Sequence, residues 1–253
     1  MNDTFRQPKD DCDKQPHDNW AEYYDFVYEK TFGDHYRILN TSTLDAIKNI
    51  MLHGIIVDFG AGTGRLAIPL KLSGFDVIAV EKSVGMVDQL QAKCLSNNVH
   101  IPVYNCSISD YSNGDADLAL ALFTVLSYSL TEQELTDSLK SISQHLRPKG
   151  YFFFDLPDPI FFNMGQLINI HSNDFNRSVK LTKIHDIGVY KYHEICSGIF
   201  QNRPFSYEAE FCIRYWDLSF VNNILMELGF NDTNRQFPQF GSTGSTYKLF
   251  QMK

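Results

Sequence analysis

Residues Ile55 to Gly64 read I-I-V-D-F-G-A-G-T-G, an apolar run that ends in an acid and then in three glycines on alternate positions. A short apolar run bounded by glycines has the pattern of a buried strand with a sharp exit. Gly60, Gly62 and Gly64 accept backbone angles closed to other residues and let a ligand reach the main chain without meeting a β-carbon. Arg65 to Leu70 continue as R-L-A-I-P-L, apolar at helical spacing. Strand, glycine loop and helix in that order put the chain in the α/β class and make the loop a seat for a nucleotide-like group.

The glycine spacing separates two kinds of cofactor. A dinucleotide fingerprint needs G-x-G-x-x-G. Counted from Gly60, its third position falls on Arg65, so the spacing here is G-x-G-x-G. One unit later Phe75 to Glu81 read F-D-V-I-A-V-E, a second buried strand ending in a carboxylate. Glu81 stands about 20 residues beyond the loop, where an acid accepts the hydroxyls of a ribose. With Asp58 two residues before Gly60, these features resemble motif I and the acidic strand end of the class I S-adenosylmethionine-dependent methyltransferases. The resemblance implies S-adenosyl-L-methionine as cofactor, held by Asp58, Gly60, Ala61 and Gly62, with Glu81 on the adenosyl ribose. It also implies that Lys82 to Met86 wall the adenine pocket, Lys82 and Met86 counting as binding residues.

The third strand is read at Ile101 to Ser107. Many members of that family carry an acid just past it, whereas this chain has Asn105, Cys106 and Ser107. The backbone of Ser107 or Ile108 can still serve the adenine ring nitrogens. Asp117 to Leu122, D-L-A-L-A-L, reads as a fourth strand. Its exit, from Leu122 to Tyr128, is expected to face cofactor and substrate.

Ahead of the glycine loop, Asn19 to Thr31 and Asn40 to Leu52 read as helices. The first carries Tyr24, Asp25 and Tyr28, similar to the Y-D-x-x-Y segment that covers the cofactor in small-molecule methyltransferases. Its aromatic stripe also describes plain core packing. By resemblance Tyr24 touches cofactor and acceptor, Arg37 meets the cofactor carboxylate, and Tyr128 stands near the acceptor. Tyr24 and Tyr128 are the candidate catalytic residues.

Glu132 to Leu146 reads as a helix and Lys149 to Leu156 as a fifth strand. The simple alternation then stops. Val179 to Asp186, Val189 to Ser197 and Tyr207 to Trp216 read as strands of an antiparallel sheet. A helix at Leu218 to Leu228 and a strand at Thr246 to Met252 complete the chain. The expected fold is a Rossmann-like, doubly wound sheet of about seven strands, with N-terminal helices and an antiparallel sheet inserted between strands 5 and 6. Residues 157–216 form that substrate-side insertion, residues 19–253 the methyltransferase domain, and residues 1–18 a disordered polar tail.

The chain of 253 residues is 43% apolar, enough for one large core. Its 30 acids against 22 Lys and Arg leave a formal charge of −8, which disfavours nucleic acid as substrate. The scattered cysteines, with no metal-ligand or disulfide spacing, are expected to be reduced thiols, and no metal site is expected. Without a signal-peptide core or an apolar stretch able to span a bilayer, a cytoplasmic protein is expected. After Leu122 there is no N-P-P-Y or D-P-P-Y, the pattern used for planar amides and base amines. The expected function is methyl transfer to a nitrogen or oxygen of a small metabolite. The alternatives are a non-catalytic S-adenosylmethionine-binding partner protein and a dinucleotide-dependent oxidoreductase.

Overall fold

Following the chain, a 3-10 turn at Asp18–Tyr23 runs into helix α1 (Tyr24–Phe32), and Gly33 breaks it from α2 (Asp34–Ile50). These elements come from a computed structural model that describes residues 16–185 and 188–253. The polar tail expected up to residue 18 lies outside the described residues as far as position 15. Pro16, His17 and Asp18 are placed and packed, so the segment that joins the fold begins before Asn19.

The parallel half follows as β1 (Ile55–Phe59), α3 (Ala67–Leu72), β2 (Asp76–Val80), α4 (Val84–Ser96), β3 (Val103–Tyr104), β4 (Ala116–Ala121), α5 (Glu132–Gln144) and β5 (Leu146–Pro157). β1 pairs with both β2 and β4, in parallel. Strands buried on both faces require apolar residues at successive positions. Val57 and Phe59 face one side of β1 and Ile56 the other. The first side packs with Ala119, Phe152, Phe154 and Leu139 of α5, the second with Leu118, Phe153 and Leu90 of α4. Ser83 caps α4 by accepting from Met86 N, and Thr131 with Glu134 forms a reciprocal capping box on α5.

After the short helix α6 (Pro159–Asn163), a separate antiparallel sheet forms from β6 (Gln166–His171), β7 (Phe175–His185), β8 (Val189–Phe200) and β9 (Arg203–Arg214). Helix α7 (Leu218–Glu227) returns to the main sheet, which closes with β10 (Phe230–Asp232) and β11 (Ser245–Met252). The main sheet therefore has seven strands in the order β3-β2-β1-β4-β5-β11-β10, with β11 antiparallel to β5 and to β10. The direction of winding reverses between β1 and β4. That leaves a crevice at the carboxyl ends of the strands, where open α/β sheets bind ligands.

The seven-stranded sheet and the inserted antiparallel sheet agree with the sequence reading. β6 and β10 were not read as strands: β6 is a half-exposed edge without clear alternation, and β10 has three residues. Cys94, Cys106 and Cys196 are free thiols, whereas Cys212 is disulfide-bonded, a departure from the expectation for that residue.

Candidate cofactor and acceptor site

A cavity of about 420 Å³ occupies the crevice at the ends of β1, β2 and β4, within the usual range for small-molecule sites. Its floor is the glycine loop. Gly60 has φ of 70°, and a β-carbon there would lie 2.5 Å from Val125 Cγ2, so the loop can pass beneath the β4 exit only as glycine. Gly62 has φ of 55° and no atom within 4 Å of where its β-carbon would stand. The free space beside Gly62 is a cradle that any side chain would fill.

Two acids frame the loop. Asp58 is 4% exposed, and burial pushes its carboxyl up to about 7, with Arg65 giving partial relief. Glu81 accepts from Gly62 N on Oε2 and from Ser83 N on Oε1, both at 2.8 Å, and burial raises its carboxyl as well. One carboxylate thus ties the glycine loop to the start of α4. Each of its oxygens keeps a lone pair for a ligand hydroxyl.

The opposite wall is the exit of β4. Phe123 and Thr124 both take left-handed backbone angles, with φ of 75° and 67°. Such angles are costly for residues with a β-carbon. The buried carboxylate of Asp155 on β5 accepts from both backbone N–H groups and holds the turn. The turn brings Phe123, Val125 and Tyr128 to the cavity.

Of the residues expected from the sequence, Tyr24, Asp58, Gly60, Ala61, Gly62, Glu81, Lys82, Met86, Ser107, Ile108, Leu122 and Tyr128 all line this one cavity. Arg37 does not. It lies on the exposed face of α2, ion-paired with Asp34 and with Glu29, the latter at 3.4 Å. The arginine at the cavity is Arg65, whose Nη1 donates to Asn40 Oδ1 at 2.7 Å and whose guanidinium sits 4.8 Å above the Phe123 ring. Its signal was in the sequence: the residue that breaks the dinucleotide spacing points back over the loop it follows.

Asn105 explains the missing acid. Its Nδ2 donates to the carbonyls of Glu81 at 2.9 Å and Lys82 at 3.0 Å, a task that a carboxylate cannot perform. An acid is nevertheless present three residues past Ser107, since Asp110 lines the cavity and accepts from Ser107 Oγ at 2.6 Å. His17 was missed altogether, set aside with the polar tail. It lines the cavity, and its Nε2 lies 2.8 Å from Tyr128 Oη.

The antiparallel sheet does not itself line the cavity. Phe211 of β9 backs it from behind, with ring centroids 5.2 Å from His17 and 5.9 Å from Tyr128. The segment from Pro16 to Tyr24 lies between sheet and cavity. Burial raises the phenols of Tyr24 and Tyr128 well above their ordinary value, so both are neutral donors at physiological pH. Among the described residues no group of three His, Cys, Asp or Glu side chains is arranged to hold a metal ion, and no helix is long and apolar enough to cross a membrane.

Residues 56–150 match the family described as a methyltransferase domain. A putative methyltransferase, YqeM, of Bacillus subtilis (strain 168) is 26% identical over 152 residues, covering 55% of this chain and 61% of that protein. The chain thus spans about three fifths of the length of that curated relative. An S-adenosylmethionine-dependent methyltransferase from Clostridium acetobutylicum ATCC 824 superimposes with a TM-score of 0.78 at 17% identity, over 91% of this chain and 98% of the other. An amino pentose methyltransferase from Micromonospora echinaspora, solved with S-adenosylmethionine bound, gives a TM-score of 0.71 at 14% identity, over 95% and 99%. At these identities the solved structures speak for the fold.

Proposed function

We propose, from the premise that this chain belongs to the class I S-adenosylmethionine-dependent methyltransferases, that it moves the cofactor's methyl group to a nitrogen or oxygen of a small metabolite. The observation that carries the reading is the cradle at Gly62, open above the loop and bordered by the carboxylate of Glu81. A ribose diol on Glu81, an adenine beside Met86, Ser107 and Ile108, and an amino-acid end between Asp58 and Arg65 would fill it. When bound, the cofactor supplies an electrophilic methyl carbon. The protein's part is then to align a nucleophile with it and exclude water. Tyr24 and Tyr128, neutral and at the cavity, are the hydrogen-bonding groups for that alignment.

A cavity of about 420 Å³ is of the size that takes a small acceptor. The similar amino pentose methyltransferase supports the same class of substrate. An acidic chain supports the exclusion of nucleic acid. One methyltransferase domain over residues 19–253, extended by the packed Pro16 to Asp18, with 157–216 as an insertion that backs the cavity from behind, belongs to the same reading.

The test is calorimetric titration with S-adenosylhomocysteine, beside nicotinamide dinucleotides, on the native chain and on Gly62→Asn. Asparagine tolerates the left-handed backbone, so the variant is expected to fold while its side chain fills the cradle. Affinity for S-adenosylhomocysteine is expected to fall by about two orders of magnitude, equivalent to roughly 3 kcal/mol. Undiminished binding by folded Gly62→Asn would remove the site, and binding of a dinucleotide alone would make the protein an oxidoreductase.

A further inference from the structure

His17 is held at the cavity by constraints that simple packing does not require. Its backbone takes φ of 73°, in the left-handed region that residues with a β-carbon avoid. Its imidazole meets the rings of Trp20, Tyr24, Tyr128 and Phe211 edge-on, at centroid distances of 5.1 to 5.8 Å. The next residue is pinned in turn, because Asp18 accepts from Ser83 Oγ and from Gly85 N. An imidazole used only as filler would leave two buried nitrogens without partners. Here Nε2 meets Tyr128 Oη at 2.8 Å, and Nδ1 is buried with no partner among the described residues.

We propose that His17 is a positioning residue for Tyr128, fixing the phenol so that this end of the cavity takes an uncharged nucleophile, a free-base amine or a hydroxyl. The inference rests on the methyl-transfer reading above. Burial, reinforced by the positive charge of Arg177 and opposed by Asp18, holds the imidazole neutral, its pKa lowered to about 4. Tyr128 keeps its proton for the same reason of burial. The pair therefore carries no charge. With one hydrogen bond spent between its members, the Tyr128 oxygen retains capacity to meet an N–H or O–H of the acceptor. Glu134 also borders the cavity, but its Oε2 is occupied by the backbone N–H groups of Leu130 and Thr131. A neutral nucleophile that brings its own N–H or O–H finds a fixed oxygen at Tyr128.

Nitrogen NMR of the full chain with labelled histidine, recorded from pH 8 to pH 5 with and without S-adenosylhomocysteine, tests the pair directly. His17 is expected to stay neutral throughout, and its Nε2 resonance to move in Tyr128→Phe. Protonation above pH 6, or an Nε2 resonance indifferent to Tyr128→Phe, overturns the proposal. Kinetics supply the second readout, using labelled S-adenosylmethionine and a panel of small amines and alcohols. His17→Ala is expected to lower kcat by roughly 10- to 100-fold, the scale of a misplaced contact. Affinity for S-adenosylhomocysteine is expected to be unchanged, and His17→Gln, which can still bond Tyr128, to recover part of the rate. Equal loss of cofactor affinity in both variants would make His17 a packing residue and overturn the role. Failure of the native chain to bind S-adenosylhomocysteine would instead overturn the methyl-transfer reading, with the ligand-free spectra still deciding on the pair.

Discussion

Asp58 and His17 respond to acid in opposite senses. Asp58 has its pKa raised from 3.8 to about 7, so between those values the fold holds a proton that the unfolded chain has released, and its contribution to stability grows as pH falls through 7. His17 is lowered from 6.5 to about 4, so its contribution is lost as pH falls below 6.5, where the unfolded chain takes up a proton and the fold does not. Above pH 6.5 the Asp58 effect acts without the histidine. The melting temperature of the ligand-free protein is therefore expected to rise between pH 8 and pH 6.5, and Asp58→Asn to flatten that rise; an identical slope in the variant would show that Asp58 is not the group responsible. The same buried acid is expected to release a proton when a sulfonium cation enters the cavity, since a nearby positive charge favours the carboxylate. Calorimetry near pH 7 in two buffers of different ionisation enthalpy should then show more proton release with S-adenosylmethionine than with S-adenosylhomocysteine, which lacks that charge.

At the scale of elements, α1 and the antiparallel sheet are joined by one buried polar knot. Arg177 of β7 and Glu194 of β8 are both fully buried and meet at 2.8 Å and 3.2 Å through two hydrogen bonds. Arg177 Nη1 donates to Thr31 Oγ1 on α1, and Tyr207 of β9 donates to Glu194. Removing one member strands the other charge away from water, at a cost of about 3–5 kcal/mol, whereas replacing both with apolar groups is close to neutral. Arg177→Met is expected to lower the unfolding free energy, read from denaturant melts, by that amount and the double variant with Glu194→Leu to recover most of it; equal destabilisation by the single and double variants would rule out a stranded charge as the cause. The pairing was not legible along the chain, because Arg177 and Glu194 sit in separate strands and meet only through the register of β7 on β8. By contrast β1, β2 and β4 were readable as apolar runs, since a parallel strand covered on both faces must be apolar at successive positions. The two-residue β3 and the edge strand β6 carry no such run, and their extents came only from the structure.

Across the whole molecule, the site divides in the same way. The residues contributed by β1, β2 and the loops after them were legible because motif spacing along one chain segment sets their position. Arg65 against Arg37, and His17 against a discarded tail, were decided by how separate segments cross. That crossing is concentrated in one place: the segment from His17 to Tyr23 reaches Ser83 and Gly85 at the start of α4 through Asp18, reaches Tyr128 through His17, and stacks Trp20 on Tyr207 of the antiparallel sheet at 4.8 Å. Gly85 permits the approach, since a β-carbon there would lie 2.8 Å from the Asp18 carbonyl oxygen and 3.1 Å from Ala21 Cβ. Gly85 lies within α4, where alanine is the better helix former by about 0.5–1 kcal/mol. Gly85→Ala thus sets local helix preference against the fit of the segment that covers the cavity. The expected outcome is a global melting temperature that holds or rises, together with faster proteolytic cleavage between Trp20 and Tyr24 and faster dissociation of S-adenosylhomocysteine. Saturating ligand should suppress the cleavage in the native chain and suppress it less in the variant, because the covering segment and the bound molecule stabilise the same closed arrangement. Cleavage and dissociation rates unchanged by Gly85→Ala would mean that the segment is seated by its aromatic contacts with the sheet and not by its close approach to α4.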